Sequence, residues 1–294
     1  MNEKIVIVIP VFNRVEDTLA CLKNLSSQTY QNFEIVICDD NSSDNTYKQV
    51  SERYPNVYLT KGNGDLWWTG GTNQAIKFGL ENIENIDYIL TLNNDVKIEE
   101  TFIESLLKTA RKNPYSLVCA TSLTMEKQPR IFFGGCEKLD WKTAKYKMHF
   151  NPGTIYNPEI HRGVYESDYL IGRGLLIPID AIKNVGMFNF EKLPQYFSDS
   201  DYSLRAKRNG YKLLVDFQSK VYTTPNEVTE EFEQYNSLTK KLFNRRSPQH
   251  LKSRFNFARL NCPKILFPTF FLADLLRIIY SHFIYKNNFK RGSI

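Results

Sequence analysis

The chain has 294 residues, 42% of them hydrophobic and 24% charged, and its 38 Lys/Arg against 32 Asp/Glu give a formal charge of +6. These totals fit a soluble globular protein with ample core, built as one large domain or two modest ones. Five scattered cysteines with no C-x-x-C pair (Cys21, Cys38, Cys119, Cys136, Cys262) argue against a disulfide framework or a zinc knuckle.

The opening "MNEKIVIVIP" sets acid beside base and runs straight into a buried strand. It is no signal peptide, so a reducing cytoplasm is the expected compartment. "RVEDTLACLKNLSSQ" then puts Leu19, Leu22 and Leu25 at helical spacing. "FEIVICDD" is a second strand, closing on Asp39 and Asp40, and the Ser/Asn/Asp-rich "NSSDNT" starts a helix reaching about Tyr54. "NVYLTK" is a third strand, and the next helix is predicted over Thr72–Glu81. "DYILTL" is a fourth strand, followed by Asn93, Asn94 and Asp95, then a helix through "EETFIESLLKTARK". Strands alternating with helices predict an α/β fold with right-handed crossovers and a mainly parallel sheet covered on both faces. After about residue 120 the expected elements are strands "SLVCATSL" and "DYLIGRGLLIPI", a helix around Asp201–Asn209 and a strand "YKLLVD". From about Glu230 the chain reads as helical and basic.

With no G-x-G-x-x-G and no G-x-x-x-x-G-K-[ST], the sheet matches neither a dinucleotide dehydrogenase nor a P-loop enzyme. Ligands of open parallel sheets gather at the carboxyl ends of the strands. There the sequence offers Phe12-Asn13, Asp39-Asp40 and Asn93-Asn94-Asp95. Asp40 either caps the following helix or bonds the base or sugar of a nucleotide. Asp95 is either a cap or a ligand for a divalent cation that also holds a diphosphate, since magnesium and manganese favour oxygen. In "LPQYFSDSDYSLRAKRNGYKLLV", Asp199 and Asp201 either begin a helix or supply a base for an attacking hydroxyl. "NGDLWWTGGTNQAI" is core plus a turn, or a loop whose small residues let backbone N–H groups approach phosphate. The four histidines lie far apart and show no ligand spacing.

The stretch "IVIVIPVFNRVEDTLACLKNLSSQTYQNFEIVICDDNSSDNT" resembles the opening of glycosyltransferase family 2, which has the GT-A fold with its Rossmann-like central sheet. "TLNNDV" is similar to that family's D-x-D element, "YLIGRGLLIP…VGMFNF" to its acceptor-side segment, and "YFSDSDYSLRAKRNGY" to its catalytic block. The resemblance implies a GT-A domain over residues 1–225, divided into a nucleotide-sugar half (1–120) and an acceptor half (121–225), followed by a helical basic extension (226–294). It implies an inverting transfer from a UDP- or dTDP-linked sugar to a glycan hydroxyl. Pro10, Phe12 and Asn13 would line the base pocket and Asp40 would bond the base. Trp68, Gly70, Gly71 and Asn94 would also meet the donor. Asp95 would hold Mg²⁺ or Mn²⁺, with Asn93 in the other D-x-D position; Asp199 would be the general base, with Asp201 and Arg205 supporting it. Two positions depart from the pattern. Asn93 replaces an Asp, which lowers the charge around a metal, and Thr223 stands where many members carry His. "WWTGG" resembles a subset associated with bacterial surface polysaccharides, including rhamnosyltransferase-like members.

Residues 226–294 hold 12 Lys/Arg against 5 Asp/Glu. Within them "PKILFPTFFLADLLRIIYSHFIYKNNFKRGSI" is apolar apart from a narrow stripe of Asp274, Arg277 and Ser281, too interrupted to span a bilayer. It reads as an interfacial helix on anionic lipid, at the inner face of the cell membrane, which would suit a lipid-linked acceptor. The other reading packs it on the catalytic domain or on a second subunit, making an oligomer. Basic residues interleaved with apolar ones suit lipid better than nucleic acid. The rival activities are a sugar nucleotidyltransferase and a non-catalytic binding protein for sugar nucleotides. The former wants a Gly-rich, Arg-containing loop after strand one, which "PVFNRVED" lacks.

Overall fold

The computed structural model describes residues 2–224 and 237–291, the last eight of these by backbone alone. The expected boundary near residue 225 lies outside the described residues. In chain order the first half contains β1 (Lys4–Val11), α1 (Val15–Ser26), β2 (Phe33–Asp39), α2 (Thr46–Arg53), β3 (Tyr58–Lys61), α3 (Trp67–Asn82), β4 (Ile86–Thr91), β5 (Val96–Ile98), α4 (Phe102–Lys112) and β6 (Ser116–Thr124). Then come β7 (Ile131–Phe133), β8 (Cys136–Asp140), β9 (Lys145–Met148), β10 (Val164–Glu166), β11 (Leu175–Pro178), α5 (Ile179–Val185), α6 (Ser198–Arg208) and β12 (Lys212–Thr223). The C-terminal helices are α7 (Leu238–Phe243), α8 (Leu251–Asn261) and α9 (Phe267–Arg291).

Ten strands form one sheet in the order β10-β12-β6-β11-β4-β1-β2-β3, with β5 joined to β12 and β7 to β6. The run β4-β1-β2-β3 is parallel throughout, and β12 is parallel to β6. In the middle, β11 runs antiparallel to both β4 and β6. Alternation along β1 shows why the sheet is buried on both sides. Ile5, Ile7 and Ile9 pack with α1 and α4, whereas Val6 and Val8 pack with Ala75 and Ile76 of α3.

Several expected boundaries shift. The run "DYLIGRGLLIPI" is strand only over Leu175–Pro178, because Gly174 adopts φ +73 and turns the chain before it. Conversely, β12 continues through a bulge after Asp216 to Thr223. Helix α3 starts at Trp67 rather than Thr72, so Gly70 and Gly71 lie inside it. A Cβ on Gly71 would stand 2.9 Å from Pro10 Cβ, and one on Gly70 would stand 2.9 Å from Phe190. These glycines permit close packing of a helix on β1 and on the loop before α6, which is a different task from approaching phosphate.

Helices α8 and α9 share a core with the β8–β9 hairpin and α6, in which Leu139, Leu204, Phe257, Cys262 and Phe270 are buried together. Asp274 of α9 faces this body and accepts two hydrogen bonds from Arg254, at 2.8 and 2.9 Å. Arg277 donates to the carbonyls of Thr143 and Ala144. Asp274 and Arg277 of the stripe therefore turn inward, and Ser281 is exposed along with Leu272, Leu276, Tyr280 and Phe283. No helix among the described residues is long and apolar enough to cross a membrane. All five cysteines are buried free thiols, and burial pushes those of Cys21, Cys119 and Cys136 up to about 12.

Candidate active site

Strands β1, β2 and β4 end side by side, with Val11 opposite Asp39 and Val8 opposite Thr91. The segments leaving them meet the first turn of α3. Asp40 follows β2 and lies buried beneath that turn. Its Oδ1 accepts from the Gly64 N–H at 2.8 Å, and its Oδ2 from those of Leu66 at 2.8 Å and Trp67 at 3.1 Å. The capping alternative therefore holds in an unexpected form: Asp40 caps α3, not the helix that follows it in sequence. Trp67 sits at φ +56, a left-handed conformation unusual for a bulky residue, and the Asp40 carboxylate fastens it there. Such a conformation costs on the order of 1–3 kcal/mol and is typical of functional sites.

The next residue connects the two halves of the site. Trp68 donates its indole N–H to Asn93 Oδ1 at 2.9 Å, beside Asp95. The far edge of the same ring lies on Gly172, where a Cβ would have no room. Gly172 in turn donates its N–H to Asp199 Oδ2 at 2.8 Å. One indole thus lies between the Asn93–Asp95 turn and Asp199.

Asp199 occupies the first turn of α6, after Phe197, a second aromatic residue in left-handed backbone at φ +68. The helix then separates its two acids. Asp201 points inward, paired with Arg205 at 2.9 Å and accepting from Asn261 at 2.8 Å. Arg205 also donates to the carbonyls of Val185 and Met187 at 2.8 Å each, so it clamps the loop ahead of α6. Asp199 instead faces Gly172, and its Oδ1 accepts from the Ser200 N–H. Burial raises its pKa above the ordinary 3.8, opposed by the N–H donors of Gly172 and Ser200 and by Arg173.

A model of glycosyl transferase family 2 matches residues 6–154. The chain belongs to glycosyl transferase family 2. Among curated relatives of this family-2 chain is an uncharacterized glycosyltransferase of Rickettsia typhi, 26% identical over 79% of this chain and 69% of its own length. The glycosyltransferase GlyG of Streptococcus pneumoniae is 25% identical over 45% of this chain and 44% of its own. GalNAc-T7, in a crystal structure with UDP, GalNAc and Mn²⁺, superposes with a TM-score of 0.61 at 13% identity. That likeness of GT-A fold covers 88% of this chain and 47% of GalNAc-T7. The chain thus has the GT-A fold and spans about half of this solved neighbour.

Within the family-2 site the expected donor and metal residues divide. Phe12 is 42% exposed at the end of β1, open to a planar group. Asn13 braces the neighbouring loop, its Oδ1 accepting from the Ser43 N–H at 2.7 Å. Pro10 packs under Gly71, and Asn94 is buried with its amide donated to Thr18 at 2.9 Å. Asn94, Gly70 and Gly71 therefore have structural tasks where donor contacts were expected. Asn93, expected as a metal ligand, has its side-chain oxygen engaged by Trp68.

Asp95 differs from these. It is followed by β5, not by a helix, so it is no cap. Its Oδ2 pairs with Arg14 at 2.8 Å, while its buried Oδ1 has no partner. An orphaned carboxylate oxygen suits a cation that takes one protein oxygen and completes its shell from diphosphate and water. No cluster of three or more metal-ligating side chains exists among the described residues, so the chain alone offers a sparse site.

Arg14 and the Gly172-Arg173 pair went unassigned in the sequence. Arg173 donates to Thr223 at 3.1 Å, so the position that departs from the expected His anchors an arginine whose charge acts on Asp199. The available signal was "GRG", two glycines around one charge inside an apolar run.

Proposed function

We propose that this glycosyltransferase is an inverting enzyme that transfers a sugar from a UDP- or dTDP-linked donor to a hydroxyl of a glycan, with Asp199 as base. The observation carrying this reading is the Trp68 indole, which lies between the Asn93–Asp95 turn and the Gly172–Asp199 pair. Such an arrangement suits a sugar ring with its leaving group on one side and the attacking hydroxyl on the other. As the acceptor oxygen bonds to the anomeric carbon, its proton passes to Asp199, and the bond to the diphosphate breaks with both electrons leaving on that oxygen. Burial of Asp199 strengthens it as a base, and the two N–H donors hold its carboxylate in place. Asp95 would hold Mg²⁺ or Mn²⁺, which when bound would neutralise charge on the departing diphosphate. Arg14, already beside Asp95, supplies a second positive group there. Phe12 would stack on the base, and Trp68 would present its ring to the sugar.

The outward apolar stripe of α9 supports a peripheral contact with the inner face of the cell membrane, and hence a lipid-linked acceptor of surface-polysaccharide synthesis. The test is a panel of UDP-, dTDP- and GDP-sugars followed by thermal shift and by release of nucleoside diphosphate, with and without Mn²⁺. A true donor at about 100 times its Kd raises stability by about 2.7 kcal/mol. If no donor shifts the transition and none is turned over, the transfer reading is wrong.

A further inference from the structure

A pocket of about 190 Å³ opens beside this site, and the mechanism above leaves it unused. Its walls include Trp67 at the start of α3, Phe190 and Gln195 on the α5–α6 connection, and Arg245, His250 and Lys252 near the start of α8. The Trp67 ring is fixed at its edge, where Nε1 donates to Asp65 at 2.6 Å, and the Arg246 guanidinium lies 5.9 Å from its centre. The lining carries three cations, Lys192, Arg245 and Lys252, against two acids, Asp65 and Glu191. His250 titrates below its ordinary 6.5, first through burial and then through repulsion by Arg245 and Lys252. Both of those side chains are exposed, and among the described residues neither has a carboxylate at ion-pairing distance. Asp65 already serves the Trp67 indole, and Glu191 and Lys192 follow one another in the lining.

The pocket is also pinned to the reaction centre. Gln195 Oε1 accepts from the Trp68 N–H at 3.1 Å, and the Pro194 carbonyl accepts from the Thr69 N–H at 2.9 Å. Trp67 is followed in the chain by Trp68, whose indole packs on Gly172, the residue that donates its N–H to Asp199. An aromatic face suits a sugar ring, and an arginine with a lysine suits a phosphate.

We infer that this pocket receives the acceptor, and that the acceptor is a sugar bearing a phosphate or diphosphate, its ring on Trp67 and its anion on Arg245 and Lys252. The inference rests on the transferase reading and adds the acceptor's chemical class. It is tested by titrating the full-length protein, saturated with UDP and Mn²⁺ so that the donor site is filled, with three probes: glucose 1-phosphate, methyl glucoside and decyl diphosphate glucose. Glucose 1-phosphate should bind about tenfold or more tighter than methyl glucoside, and the Arg245→Gln/Lys252→Gln variant should lose about tenfold or more of that affinity while binding UDP as before. Decyl diphosphate glucose binding tighter than glucose 1-phosphate assigns the anion to a lipid-linked sugar; equal binding assigns it to a soluble one. Unchanged affinity in the double variant, equal binding of methyl glucoside, or no binding of any probe overturns the pocket while UDP binding stands. Failure of UDP to bind the native protein removes the transferase reading, and the pocket assignment falls with it.

Discussion

Replacing Asp199 by asparagine separates a catalytic carboxylate from a helix cap, because the two roles predict opposite stabilities. The carboxylate accepts from Gly172 and Ser200 at 2.8 Å each. An asparagine keeps one oxygen for Gly172 and turns its amide toward Ser200, losing one hydrogen bond at about 1 kcal/mol. Against that stands the buried charge. Burial is the largest influence on Asp199 and raises its pKa above 3.8. The folded state therefore binds this proton more tightly than the unfolded chain does. The stability it brings is complete below the unfolded pKa and disappears as pH rises through the folded one. Above the folded pKa the native protein has lost that contribution, whereas the asparagine variant is neutral at every pH; each tenfold difference in proton affinity is worth about 1.4 kcal/mol. Asp199→Asn should thus lose transfer by about 10²–10⁴-fold, while its melting temperature relative to the native protein rises with pH. Release of nucleoside diphosphate at saturating donor measures the first, and melts from about pH 4 to about pH 8 measure the second. Native transfer should fall on acidification as the base takes up its proton. A variant that still transfers sugar, or whose stability relative to the native protein falls as pH rises, would refute the reasoning.

Three further outcomes check other parts of the site. Arg14 is 42% exposed and pairs with Asp95. A pair of that kind contributes about 0.2–1 kcal/mol, so Arg14→Ala should tighten Mn²⁺ binding by up to about fivefold in a calorimetric titration; unchanged or weaker binding would mean that Asp95 does not hold the ion. Gly71→Ala brings a methyl to 2.9 Å from Pro10 and should lower stability by about 1–3 kcal/mol in denaturant titrations. An unaffected midpoint would show that α3 can move off β1 without cost. Leu272→Glu with Leu276→Glu on the outer face of α9 should abolish flotation with anionic liposomes while leaving the fold intact, and undiminished flotation would place membrane contact elsewhere.

The parallel half of the sheet was legible because strands covered on both faces must be continuous runs of Ile and Val, as β1 and β2 are. The start of α3 was not. Two glycines and a tryptophan read locally as a turn, and the group that starts the helix there is a carboxylate 26 positions away from Leu66 in sequence. A similar limit applied to Asp199 and Asp201. Their spacing cannot say which faces the core; Arg205 and Asn261, on two other turns of chain, draw Asp201 inward and leave Asp199 to Gly172. For α9 the polar stripe was visible, but its direction depended on Arg254, a partner with no local signature. Short strands such as β7 and β10 carry too few residues for a period to emerge.

The burial of every cysteine has a practical consequence. Their thiols are held in the unreactive protonated form by burial, which pushes that of Cys38 up to about 11. A single cysteine introduced at an exposed position, such as Lys127 between β6 and β7, would therefore be the one fast-reacting handle on the folded chain. Maleimide dyes or spin labels could be attached there without first removing the native sulfurs, leaving the packing around them intact.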